Sequence, residues 1–208
     1  AEAWVAVLQS SGDRAFSAGA DVRALDENAR AGHTTGLGGL LIDSEMVTDK
    51  PIIAAVQGYC VGEGVNLALA CDLRVAGPGA AFVLPETSLG LVPSAGGCTR
   101  LPRVVGPGRA KEIILGGREL DAEAALAWGV VSRIAEHPLE EAQAWAEVIA
   151  QRDTVALRLA KSILDAGDSM EMTMQMERLA EALAMHVEQF TGITKQLESM
   201  RETGWQDN

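Results

Sequence analysis

Five consecutive apolar residues, Ile52-Ile53-Ala54-Ala55-Val56, constrain this chain more than any other stretch. They do not alternate with polar residues, so the spacing predicts a strand buried on both faces rather than a half-exposed one. Pro51 precedes the run, and the glycines of Gly58–Gly64 follow it as a turn, after which Val65–Ala70 opens a helix. A second short apolar run, Ala3–Gln9, is closed by Ser10, Ser11 and Gly12 and reads as another buried strand. Ser11–Asp21 is loop in composition. Leu25–Gly39, with four Gly and two Thr and no period, reads as a flap. Leu73–Ala76 and Ala81–Val83 read as short strands, and Ala110–Leu115 as a helix stopped by Gly116 and Gly117. Asp121 caps a helix that runs to Trp128 and ends at Gly129, and Val130–Ala135 reads as a strand.

From Pro138 the pattern is helical almost to the end. Met172, Met176, Leu179, Leu183, Val187, Phe190, Ile193, Leu197 and Met200 step by three or four residues, the stripe of one amphipathic face. At about 1.5 Å per residue it runs on the order of 40 Å. Two readings stay open: a pair of core helices broken near Gly167 or Gly192, or an arm packed on a neighbouring subunit. Strands alternating with helices, then helices alone, give an α/β fold class with a helical C-terminal third. The division expected is a core over 1–136 and a helical region over 137–208.

Charge and composition narrow the function. The chain has 208 residues, 48% of them apolar, which excludes a disordered tail or a low-complexity fibre. No apolar run reaches the roughly 18 residues of a bilayer span, so no membrane partner is expected. Lys and Arg number 17 against 29 Asp and Glu, a net charge of −12 with no basic run, so no nucleic-acid partner is expected. Cys60, Cys71 and Cys98 form no C-x-x-C pair, which disfavours a disulfide framework or a zinc site and fits a reducing cytoplasm. No metal ligand set is read. No signal peptide is visible, and Ala1 lies close to the start of a strand, so residues are expected to precede it.

Three constellations carry chemistry. Gly58-Tyr59-Cys60-Val61-Gly62 has the spacing of a nucleophile elbow with Cys in place of Ser; the bland alternative is a small buried thiol. His137 and His186, the later histidines, have no distinctive setting as its base. Two Gly-rich turns, Phe16-Ser17-Ala18-Gly19-Ala20-Asp21 and Gly62-Glu63-Gly64, each follow a buried strand. Backbone N–H groups from both could converge on one carbonyl oxygen as an oxyanion hole, helped by a helix N-terminus. Neither turn is a dinucleotide or Walker motif. Finally, Glu86 stands among Phe82, Val83, Leu84 and Leu89, between Pro85 and Pro93. An apolar frame would desolvate it and raise its pKa toward that of a usable base; otherwise it is a solvated loop residue.

The order of these segments resembles the crotonase family, the enoyl-CoA hydratases and isomerases. The resemblance is carried by Phe16–Asp21, Ile52–Gly62, Cys71-Asp72-Leu73-Arg74, Pro85-Glu86, Leu89–Gly97, Arg100-Leu101-Pro102, Leu120–Ile134 and Ala160-Lys161. It implies a crotonase-like spiral of ββα turns followed by helices that trimerise, hence a homotrimer or homohexamer. It implies an acyl-CoA substrate, with coenzyme A entering as part of that substrate and no separate cofactor. It places the oxyanion hole at the N–H groups of Ala20 and Glu63, adenine contact at Ala18, substrate binding at Asp21 and a phosphate-facing cation at Arg23. It makes Glu86 the acid/base and puts Asn66 where hydratases carry a second glutamate. Asn cannot shuttle a proton, so a single-base, isomerase-like shift is favoured narrowly over hydration. Hydration by Glu86 with water, a Cys60-dependent hydrolase and a non-catalytic CoA-binding member are the alternatives. The Glu63 side chain is either a second acid or a solvated group. Leu197–Arg201 departs from the Phe and Lys-Arg pattern that reaches CoA, leaving that contact open.

Overall fold

The structure is a computed structural model, and it describes residues 3–21, 48–93 and 96–166. Arg23, the Leu25–Gly39 flap, His186 and the Met172–Met200 stripe lie outside the described residues. Two compact units divide at Gln151/Arg152.

In the first unit the strands come in consecutive pairs, and each pair sends one member to each of two sheets. Strands β1 (Ala6–Gln9) and β2 (Ala15–Ser17) form one pair, and β3 (Ile52–Val56) and β4 (Tyr59–Val61) the next. After helix α1 (Glu63–Ala70) come β5 (Leu73–Ala76) and β6 (Ala81–Val83). A 3-10 turn (Glu86–Leu89), α2 (Gly97–Val105) and α3 (Pro107–Ile114) lead to β7 (Leu120–Asp121), α4 (Ala122–Ala127), β8 (Arg133–Ile134) and α5 (Pro138–Ala150). The first sheet runs β1-β3-β5-β8, all parallel; the second runs β2-β4-β6-β7, with β7 antiparallel. Leu8 pairs with Ala54, Ala54 with Arg74, and Cys60 with Phe82.

The apolar run of β3 is explained by its two covered faces. Ala54 and Val56 point into the main core with Cys60, Val65, Phe82 and Leu101. Ile53 and Ala55 point the other way, into a smaller cluster with Val75 and Ala142, where Leu139 and Trp145 of α5 pack. Arg74 is buried in this frame. Its Nε donates to Val130 O at 2.5 Å, and its Nη1 to Cys71 O at 2.6 Å and Ala68 O at 3.3 Å, joining α1, β5 and the segment before β8. Asp72 Oδ2 accepts from Ile52 N at 2.7 Å and ties β5 to the start of β3.

Several local expectations change. Ser11–Asp21 is not all loop, because Ala15–Ser17 pairs with β4 as a strand, and β1 is half-exposed rather than buried. Gly58–Gly64 is not one turn: Tyr59–Val61 is a strand paired on both sides, and the helix begins at Glu63 rather than Val65. The strand expected over Val130–Ala135 shrinks to Arg133–Ile134, because the N–H groups of Val130 and Val131 close the end of α4 on Ala125 O at 2.8 and 3.2 Å. The first strand starts at Ala6 rather than Ala3. Helix α2 was not anticipated; Pro102 lies inside it, and its buried stripe is only Gly97, Leu101 and Val105. The Asp121 cap is as expected, with Oδ1 accepting from Ala124 N at 2.7 Å.

The second unit contains α6 (Thr154–Ala166), opened by Asp153 Oδ1, which accepts from Ala156 N at 2.8 Å. No described helix is long and apolar enough to cross a membrane.

Candidate active site

The two Gly-rich turns meet. The Ser17 hydroxyl ends β2 and accepts from Gly19 N at 3.2 Å, curling the chain at once. Gly19 has φ +86°, and a Cβ there would stand 2.9 Å from Val61 O and 3.6 Å from Glu63 N. Only glycine meets both conditions without strain. A Cβ on Gly64 would stand 2.7 Å from Ser17 Cβ, so the first turn of α1 is seated directly on the end of β2. The Gly19-Ala20 and Gly62-Glu63 backbones are therefore neighbours. Gly62 caps α1 without a side-chain acceptor, leaving the positive end of that helix at this junction.

Glu86 comes to the same place from the second sheet. Gly62 N donates to Val83 O at 2.8 Å, which docks the end of β6 on the turn. A Cβ on Gly62 would stand 3.4 Å from Glu86 Oε1. The other oxygen, Oε2, is buried with no hydrogen-bond partner among the described residues. Burial is the main cause that raises the Glu86 carboxyl above its ordinary range; its own backbone N–H opposes the shift, and the charge of Glu63 adds to it. Glu63 is itself raised by burial. The expected apolar frame is only partly present: Phe82 and Leu84 are buried, but Leu89 is 57% exposed and Val83 is half-buried. Thr87, given no role by the sequence reading, anchors the 3-10 turn by donating from Oγ1 to Ile114 O at 2.8 Å. A hydroxyl in the first turn after Pro85 was the signal available.

Asn66 is fully buried on α1. Its Oδ1 lies 2.5 Å from where a Cβ on Gly97 would be, and the Pro93 ring stands 2.8 Å from that point, so the start of α2 closes over the amide. Ala20 is half-buried, and Ala18 and Asp21 are exposed on the Gly19 turn. Arg23 lies outside the described residues.

Cys60 is not placed as a nucleophile. It faces the core from β4 with no exposure, and burial pushes its thiol far up, with Cys71 adding to the shift. A cavity of about 320 Å³ between the β1–β2 turn and the start of α5 shares no residue with the junction. Asp13, Glu136 and Glu140 line it, a poor setting for a phosphate-bearing ligand.

Comparison with known proteins decides the family. The profile of the enoyl-CoA hydratase/isomerase family matches residues 1–207. The chain belongs to that family. It is 38% identical over 169 residues to a carnitinyl-CoA dehydratase of Citrobacter koseri, across 80% of this chain and 65% of that protein. A carnitinyl-CoA dehydratase of Salmonella typhimurium is 39% identical over the same length, with the same coverage. This chain thus spans slightly less than two thirds of the curated relatives it matches. An enoyl-CoA hydratase from Bacillus anthracis superposes with a TM-score of 0.83 at 34% identity, covering 94% of this chain and 78% of that one. One from a Polaromonas species gives 0.86 at 30% identity, covering 94% and 80%. The paired strands of the two sheets are the crotonase fold.

Proposed function

We propose that this crotonase-family chain carries out enolate chemistry on an enoyl-CoA thioester, with Glu86 moving the proton. The observation that carries this reading is the approach of the Glu86 carboxylate to Gly62, beside the junction of the Gly19-Ala20 and Gly62-Glu63 backbones. The thioester oxygen would sit between the N–H groups of Ala20 and Glu63. Ala18, Asp21 and Arg23 would contribute to CoA binding.

In the single-base, isomerase-like form, Glu86 takes a proton from C2 of a 3-enoyl thioester. The C–H electron pair moves onto the thioester oxygen, where two N–H groups and the α1 dipole stabilise it. Glu86 then returns the proton at C4, the double bond shifts to C2=C3, and no atom is gained or lost. A carboxyl whose pKa is raised by partial burial suits both halves of that step.

The test is turnover of 3-enoyl- and 2-enoyl-CoA thioesters followed by absorbance and mass. Isomerisation leaves the mass unchanged; hydration adds one water. Glu86→Gln should abolish turnover while CoA affinity stays near that of the parent. A parent that binds CoA tightly and turns over neither substrate would overturn the reading in favour of a non-catalytic CoA-binding protein. The Met172–Met200 stripe supports assembly as a homotrimer or homohexamer, and sedimentation showing a stable monomer would count against that.

A further inference from the structure

We infer that the side chain of Glu63, and not only its backbone N–H, works in this site as a second proton-handling carboxylate opposite Glu86, which equips the chain to add or remove water. The inference rests on the reading of Glu86 above and extends it from a proton shift to hydration and dehydration.

Three observations converge on it. Glu63 is the first residue of α1, and Asn66 follows three positions later on the same helix face, about 4.5 Å along the axis. Asn66 is sealed beneath Gly97 and Pro93 and offers an amide, which donates and accepts hydrogen bonds but cannot act as an acid or base at neutral pH. Glu63 opens that helix at the junction of the two turns, its N 3.6 Å from where a Cβ on Gly19 would be and its neighbour Gly62 facing Glu86 Oε1. The charge of Glu63 adds to the rise at Glu86, and partial burial lifts both groups. Repulsion from Glu63 disfavours the state in which both carboxylates are ionised. Water addition starts with Glu86 protonated and Glu63 ionised, whereas the double-bond shift starts with Glu86 ionised.

The step balances. Ionised Glu63 takes a proton from water as the water oxygen bonds to C3 of a 2-enoyl thioester. The C2=C3 electron pair moves onto the thioester oxygen, giving the enolate. Protonated Glu86 then gives its proton to C2 as the carbonyl re-forms. Water has been added, and the two carboxyls have exchanged protonation states. Dehydration is the reverse.

The deciding experiment compares two rates in the same preparations: water addition to a 2-enoyl-CoA, read by mass, and double-bond shift in a 3-enoyl-CoA. Glu63→Gln keeps the backbone N–H and the side-chain shape but removes the proton acceptor. The ratio of hydration to isomerisation should fall on the order of a hundredfold in this variant, the size expected for loss of a general base. Glu63→Asp should recover part of the ratio. A ratio within about threefold of the parent's would overturn the inference, as would a parallel loss of both rates, which would assign Glu63 a structural role only. A parent that isomerises but adds no water would overturn it as well. Glu86→Gln separates the two proposals: if it retains both reactions, the reading of Glu86 fails whatever the Glu63 variants do.

Discussion

Replacing Gly19 by alanine tests the junction on which the site depends. The residue has φ +86°, where a side chain costs about 1–2 kcal/mol. Its new Cβ would lie 2.9 Å from Val61 O, against about 3.4 Å for an ordinary contact, so a shift of about 0.5 Å is required. The Val61 carbonyl belongs to a strand paired on both sides, so the Gly19-Ala20 turn is the part that moves. At roughly 2–4 °C per kcal/mol for a chain of this size, the melting temperature should fall by about 2–8 °C. Activity should fall more steeply. Moving the Ala20 N–H away from an oxyanion removes much of one donor, worth on the order of a hundred- to a thousandfold in kcat. The assay is a thermal melt beside kcat and KM on whichever enoyl-CoA is turned over. Gly12→Ala is the control, because a Cβ there meets nothing within 4 Å. An unchanged melt with full turnover in Gly19→Ala would refute the close approach of the two turns. An equal loss in Gly12→Ala would show that any change in the β1–β2 region disturbs the site.

Other consequences follow from the same contacts. Ala20→Pro removes the donor itself and should cost about 3–4 kcal/mol of transition-state stabilisation, measured as kcat/KM in a variant that still melts cooperatively. Because burial raises Glu86 above its unfolded value, its ionised form opposes folding: its contribution is favourable below the unfolded pKa and is lost as pH rises through the folded one. Glu86→Gln should therefore melt higher than the parent at neutral and alkaline pH, with the difference vanishing in acid; a lower melt at pH 8 would contradict this. Arg74→Leu leaves the carbonyls of Val130, Cys71 and Ala68 without their buried donor and should destabilise the first unit by about 2–5 kcal/mol in urea unfolding. Asp121→Ala should cost about 1 kcal/mol through loss of the α4 cap, with no effect on turnover.

The fold was legible where one element's own residues decide it. Ile52–Val56 reads as a doubly covered strand because both faces need apolar side chains, and both are covered here. Asp121 reads as a cap because its carboxylate reaches an N–H three residues away. Tyr59-Cys60-Val61 was not legible as a strand, because three residues between Gly58 and Gly62 are too few to show a period. Its pairing comes from Ala15–Ser17 on one side and Ala81–Val83 on the other, and both partners are distant in sequence. Helix α2 hid for a related reason: its large fully buried side chains are only Leu101 and Val105, with Val104 packed partly buried beside them, and Pro102 reads as a breaker.

The site was legible as an order of motifs but not as an orientation of side chains. Where the pattern starts α1 at Val65, Glu63 is a turn residue with no fixed direction, and its side chain is left as either a second acid or a solvated group. In the structure the helix starts at Glu63, which fixes the residue one turn from Asn66 on a common face and puts its charge within reach of Glu86. That difference of two residues, smaller than the usual disagreement over where a helix begins, decides whether Glu63 reads as a turn residue or as the first residue of α1. The glycine following it shows why the boundary falls there. A side chain at Gly64 would strike Ser17, so the helix can seat its first turn on β2 only because residue 64 has none. The seat of the Glu63 backbone is thus set by a contact between residues 17 and 64, far apart in sequence, and no local pattern around residue 63 contains it.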